Sequence, residues 1–154
     1  MAYVSLDSDQ IKKAHKKHKY TKEQVLQLEQ CMDPKTGPLY FMKTFMKIQH
    51  PTKGEMPFKP FAYQERLIEA YNSHRFSISM LPRQTGKTTC ASGYLIWYAM
   101  FRPDSQILIA AHKYAGASDI MSRVRYAYEM LPAWIKAGVT QYNRNSIEFD
   151  NGSK

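Results

Sequence analysis

The stretch Leu81-Pro82-Arg83-Gln84-Thr85-Gly86-Lys87-Thr88-Thr89 constrains this chain more than any other. Before it, Phe76, Ile78 and Met80 alternate with Ser77 and Ser79, the period of a strand. After it, Lys87 to Phe101 is a glycine-poor run of long apolar side chains, which predicts a helix. A strand, a turn carrying Gly-Lys-Thr and a helix is the context in which such a turn becomes a phosphate-binding loop. The N–H groups of the turn and the free N–H groups of the new helix then face one concavity, which favours an anion. In that reading Lys87 reaches the β- and γ-phosphates and the Thr88 hydroxyl supplies an oxygen ligand to Mg²⁺. The match departs from the full pattern. Leu81 stands five residues before Gly86, where a first glycine belongs, and Pro82 fixes φ and removes one donor. Gly-Lys-Thr alone also describes a basic turn that caps a helix, so the flanking strand and helix carry the reading.

A chain of 154 residues predicts one domain, and one of that size buries about 68–70% of its unfolded surface. Hydrophobic residues at 44% and charged residues at 23% are ordinary for a globular chain. The 22 Lys+Arg against 13 Asp+Glu give a formal charge of +9, which points to a polyanionic partner. Cys31 and Cys90 lack metal-ligand spacing, which argues against a disulfide framework or zinc site and fits a reducing compartment. Met1 to Asp9 shows no basic-then-apolar secretion pattern, and the longest apolar run, Tyr94 to Phe101, is far too short to span a bilayer.

In chain order, Gln10 to Tyr20 carries Lys12, Lys13, Lys16, Lys17 and Lys19 with His15 and His18 between them. Nothing apolar organises this run, so it reads as a solvated, partly disordered arm, with contact to a DNA backbone as the alternative. Thr21-Lys-Glu-Gln24 is a capping box that opens a short helix to about Cys31. Gly37-Pro38 starts the next helix, in which Phe41 and Phe45, and Met42 and Met46, form a core stripe. Gln49 to Pro57, with Pro51, Gly54 and Pro57, reads as a loop, and Glu65 to Asn72 as a helix. Gln64 stands at its start, and its amide could pair with the N7 and N6 edge of adenine or be a plain surface glutamine. Beyond Arg102-Pro103-Asp104, the run Gln106 to Ala111 predicts a strand buried on both faces. His112-Lys113 follows at its C-terminal end, where open α/β sheets bind ligands. Ile120, Val124, Ala127, Tyr128 and Leu131 then keep helical spacing, with Arg123 and Arg125 off the stripe and Pro132 ending it. Strand, helix, strand, helix predicts parallel βαβ units, with 76–80 and 107–111 as neighbours. Ser146 to Phe149 alternates into Asp150-Asn151-Gly152, a hairpin turn signal.

Phe61-Ala-Tyr-Gln64, Pro82-Arg-Gln-Thr-Gly-Lys-Thr-Thr89, Ile109-Ala-Ala-His-Lys113 and Ser146-Ile-Glu-Phe-Asp-Asn-Gly-Ser153 together resemble the large terminase subunits of tailed bacteriophages, in their order and spacing the myovirus type. The likeness runs from about Tyr20 onward. It implies an ATP-driven motor that packages double-stranded DNA, with ATP and Mg²⁺ as cofactors. It also implies a portal protein and a small terminase subunit as partners, a possible ring of full-length copies, the host cytoplasm as location and no membrane. By this resemblance Gln64 contacts adenine with Tyr63 stacking on or framing it. Pro82, Arg83, Gln84, Thr85, Gly86, Lys87, Thr88 and Thr89 form the loop, Lys87 is the phosphate lysine, Thr88 the Mg²⁺ ligand and Arg83 an arginine near the γ-phosphate. Lys87 and Arg83 are thus the catalytic candidates.

The expected fold is α/β: an incomplete P-loop NTPase parallel-sheet core over 75–154, a helical extension over 21–74 and a basic arm over 1–20. The family's next parts, an apolar strand ending in Asp-Glu, a coupling motif and a nuclease domain, are not found in this sequence, so it reads as a truncated, split or fragmentary N-terminal part of the ATPase domain. Glu148 and Asp150 are the nearest carboxylate candidates, and their spacing also fits one polar face of a hairpin. The alternatives are a module that binds nucleotide or a terminase partner without turnover, and part of a helicase-like ATPase.

Overall fold

The computed structural model describes residues 10–50, 52 and 54–154. Its elements run α1 (Lys22–Met32), α2 (Gly37–Phe45), β1 (Lys47–His50), β2 (Gly54–Pro57), α3 (Ala62–Ser73), α4 (Lys87–Phe101), α5 (Tyr114–Glu129), β3 (Val139–Tyr142) and β4 (Ile147–Phe149). The fold is mixed α/β, with five helices and two small antiparallel hairpins among the described residues.

Local chemistry explains the helices. Thr21 Oγ1 accepts the Gln24 N–H at 3.2 Å and Gln24 Oε1 accepts the Thr21 N–H at 3.0 Å, so the expected capping box opens α1. Proline near the start of α2 occupies the turn whose N–H groups have no helical partner. Phe41, Met42, Phe45 and Met46 are buried, as their spacing requires. Helix α4 is central. It packs against α2 and α3 on one side and α5 on the other, and Ile96 and Trp97 are buried within it. The Trp97 indole N–H donates to the Cys31 carbonyl at 2.8 Å, tying α4 to the end of α1.

The region read as a loop from Gln49 to Pro57 is instead hairpin β1–β2, paired from Lys47–Pro57 to His50–Gly54. Pro57 is at the end of its strand, where a missing donor is tolerated. The second hairpin pairs β3 with β4, so β4 finds its partner before it in the chain rather than after it. A turn forms at Asp150-Asn151-Gly152, with Gly152 at φ 84°, but it is not the hairpin turn expected, since among the described residues β4 pairs only with β3. Asn151 Nδ2 donates to the Ala99 and Met100 carbonyls at 2.9 and 3.2 Å, satisfying acceptors at the C-terminal end of α4.

Two expectations are corrected. Segments 76–80 and 107–111 belong to no strand, and no parallel sheet joins them. Phe76, Ile78 and Met80 are 82%, 94% and 92% exposed, and Leu108 is 91% exposed. Ile107 and Ile109 are half-buried against the core, so this run covers one face rather than two. Alternation specifies the faces of a strand, but a ladder also needs a neighbour for its N–H and C=O groups. The run's start has one: Ile107 N–H donates to the Lys154 carbonyl at 2.8 Å and Lys154 N–H to the Ser105 carbonyl at 2.9 Å, the bonding pattern of one parallel rung.

The basic arm is the second correction. Its residues 1–9 lie outside the described residues, but its root is docked. Ile11 is 6% exposed and joins the core, Val139 N–H donates to the Lys12 carbonyl at 2.9 Å, and His15 N–H to Asp150 Oδ2 at 2.9 Å. Ile11 and the backbone bonds at Lys12 and His15 together anchor it. Lys16, Lys17 and Lys19 remain exposed. Among the described residues, no helix is long and apolar enough to cross a membrane.

Candidate functional site

The loop 82–86 leads into α4 through two residues with positive φ, Gln84 at 63° and Gly86 at 76°. Gly86 is the residue before the helix, and the first helical bond runs from the Cys90 N–H to the Gly86 carbonyl at 3.0 Å. The N–H groups of Lys87, Thr88 and Thr89 therefore precede the helical ladder, at the positive end of the helix dipole. No acidic side chain occupies the first turn of α4 to compete for that end.

The loop is held from inside and from below. Thr85 Oγ1 donates to the Pro82 carbonyl at 3.0 Å, and Lys87 Nζ donates to the same carbonyl at 3.1 Å. The lysine charge is thus carried over the loop. Pro82, Arg83 and Gln84 are exposed at the outer turn, and Thr88 and Thr89 are half-buried on the first turn of α4.

Tyr63 and Gln64 come from the first turn of α3. Tyr63 Oη donates to the Thr85 carbonyl at 2.8 Å and Gln64 Nε2 donates to it at 2.9 Å. Gln64 Oε1 accepts the Phe61 N–H at 3.0 Å. Gln64 is 6% exposed and spends both kinds of polar atom on the protein itself, so it is no surface glutamine. Phe61 and Tyr63 stack with ring centroids 5.8 Å apart and planes within 7°, leaving Phe61 exposed beside the loop. The structure therefore gathers Tyr63, Gln64, Pro82, Thr85, Gly86 and Lys87 in one bonded cluster.

The candidate carboxylates are placed elsewhere in the bonding pattern. Asp150 is engaged by the arm at His15, and Glu148 lines a cavity of about 720 Å³ with Leu95, Ile96, Ile107 and Ile109. Among the described residues no group of three or more His, Cys, Asp or Glu side chains is arranged around a metal position.

Sequence reasoning missed a second cavity, of about 600 Å³ and with mixed lining, between α4, α5 and β1. Ser92 and Arg125 line it, and Ser92 Oγ and Arg125 Nε are buried with no hydrogen-bond partner among the described residues. A helical serine and an arginine off the apolar stripe gave no signal of this, because the cavity is formed by three elements distant in sequence. Comparison with known families adds one finding: the model for the N-terminal part of the terminase large subunit, T4-like-virus type, matches residues 78–154.

Proposed function

The chain belongs to the terminase large subunit family of T4-like-virus type, in its N-terminal part, with a role in phage DNA packaging, and from that premise we propose that residues 82–89 bind the triphosphate of ATP. The observation that carries the reading is the conformation of the loop itself. Left-handed Gly86 turns the chain into α4, so that successive free N–H groups and Lys87 collect at one helix end. ATP bound there would bring Mg²⁺, which would neutralise phosphate charge. The Thr88 hydroxyl, on the first turn of α4, would ligate it, and the exposed Arg83 would approach the terminal phosphate.

The wider partners are double-stranded DNA, a portal protein and a small terminase subunit, in the host cytoplasm. The net charge of +9 favours the first of these.

Hydrolysis requires a carboxylate to position or deprotonate water. Asp150 is bound to the arm and Glu148 faces an apolar cavity, so the activity proposed for these 154 residues is nucleotide binding with little turnover. Titration calorimetry with Mg-ATP tests it. The expected result is measurable binding that Lys87→Ala abolishes while the melting temperature of the ligand-free variant stays within about 2 °C, as for a surface substitution. Binding that survives Lys87→Ala would return the loop to a helix-capping turn.

A further inference from the structure

Tyr63 and Gln64 both donate to one atom, the Thr85 carbonyl oxygen, at 2.8 and 2.9 Å. A carbonyl has two lone pairs, and these two donors fill both. The next residue is Gly86, whose φ of 76° lies in the left-handed region. A Cβ on Gly86 would come within 2.6 Å of Gln64 Nε2, so the glycine also makes room for the amide. Gln64 is itself immobilised by accepting the Phe61 N–H at 3.0 Å. The peptide between Thr85 and Gly86 is thereby fixed in orientation from the first turn of a different helix. Its carbonyl points to α3, so its N–H, on Gly86, points the opposite way.

We propose that Tyr63 and Gln64 are positioning residues that latch the phosphate loop through the Thr85 carbonyl, aiming the loop's N–H groups without reading the base of the nucleotide. The role rests on the phosphate-binding reading above. It follows from the peptide plane: a peptide free to rotate in the unliganded loop samples orientations with its carbonyl, rather than its N–H, toward the concavity, and must be reoriented when an anion binds. Holding the carbonyl against α3 removes that reorientation and the entropy of ordering the loop on binding. Tyr63 is half of the latch, and its hydroxyl donates to the loop while its ring stacks on Phe61.

Two measurements on the 154-residue chain test this, with Tyr63→Phe and Gln64→Met as variants. The first needs no nucleotide. Amide hydrogen exchange should rise across residues 83–86 in both variants while the protection of α5, and of α4 from Cys90 onward, stays unchanged. The second compares Mg-ATP, Mg-GTP and inorganic tripolyphosphate by calorimetry. Each variant should weaken all three by the same factor, about 2- to 10-fold for the one bond to the Thr85 carbonyl that each removes. Unchanged exchange in 83–86 would overturn the latch. So would a loss confined to ATP, since Gln64 would then be a reader of adenine. If the wild-type chain binds none of the three yet the exchange difference appears, the phosphate-binding reading falls and the loop clamp stands. Tyr63→Phe keeps the ring and its stack, so a fold failure in Gln64→Met leaves the exchange test decisive.

Discussion

Gly86 shows how much a single residue can be asked to satisfy. Its φ of 76° is a conformation that costs other L-residues about 1–2 kcal/mol, and its missing side chain leaves space for the Gln64 amide. Gly86→Ala should therefore lower stability by roughly 1–3 kcal/mol and cancel Mg-ATP binding, because both strain and collision fall on the loop. Thermal melting alongside calorimetry checks it, and a variant that melts and binds like the wild type would show that the loop yields cheaply. The motif made Gly86 and Lys87 legible, since residue type and spacing alone encode them. Gln64 was legible as a special position but not in its engagement. Its partners are the Phe61 N–H and the Thr85 carbonyl, backbone atoms that any residue supplies, so no side-chain pattern marks them. The resemblance implies that Tyr63 stacks on or frames the base, and its hydroxyl bond to the loop leaves no trace in sequence for the same reason.

Elements whose information is local were readable, and those that depend on a neighbour were not. Helix α4 spans Lys87–Phe101 as its apolar run predicts, and α1 begins at its capping box. Hairpin β1–β2 was hidden because four-residue strands are too short to show a period, and Pro51, Gly54 and Pro57 outweighed them. The runs 76–80 and 107–111 carry strand periodicity without ladders, since pairing is a property of two segments. Asp150-Asn151-Gly152 turns the chain without closing a hairpin, and Asn151 does more than turn it. Its amide satisfies carbonyls of Ala99 and Met100, and its Oδ1 accepts the Ser153 N–H at 3.0 Å. Asn151→Ala leaves those groups at the end of α4 without their partner and should cost about 1–3 kcal/mol. For a chain of this size that corresponds to about 2–4 °C in melting temperature per kcal/mol. Asn72→Ala, which removes exposed bonds to Pro34 and Lys35, is the control and should cost less. Equal effects would mean that the α4 end finds water instead.

Across the whole molecule, charge surplus and buried thiols set the response to salt and pH. Lys12 Nζ donates to the Lys136 carbonyl at 2.8 Å, whereas Lys16, Lys17 and Lys19 extend the arm's positive charge into solvent. If the basic surplus contacts DNA, changing these three to glutamine should reduce the salt slope of binding by up to about 3 × 0.9, measured by filter binding at stepped salt. An unchanged slope would place the contact elsewhere. The pH response is separable. Cys31 and Cys90 are free and fully buried, and burial pushes their thiols from the usual 9.0 up to about 12 and about 11. Above pH 9 the unfolded chain releases these two protons while the folded chain keeps them, so the folded state binds more protons and loses stability as pH rises. The stabilisation is fully present below pH 9 and is lost on climbing through about 11 and about 12, at up to about 1.4 kcal/mol per thiol per pH unit. Buried Tyr128 and Tyr142, also raised by desolvation, add to the fall above pH 10. Lys136 acts in the opposite sense. Desolvation lowers its pKa, so the unfolded chain holds the extra proton and stability gains as pH rises toward 10.5. Denaturant melts at pH 8, 9 and 10 isolate the thiols when the wild type is compared with a Cys31→Ala, Cys90→Ala chain, because Lys12, Lys136 and the tyrosines contribute alike to both. The change in stability from pH 9 to 10 should be more negative in the wild type than in the variant, even though cavities make the variant less stable at pH 8. Parallel slopes for the two chains would mean that the thiols are reached by water, and iodoacetamide labelling of the native wild type at pH 8 would then proceed at the rate of a free cysteine.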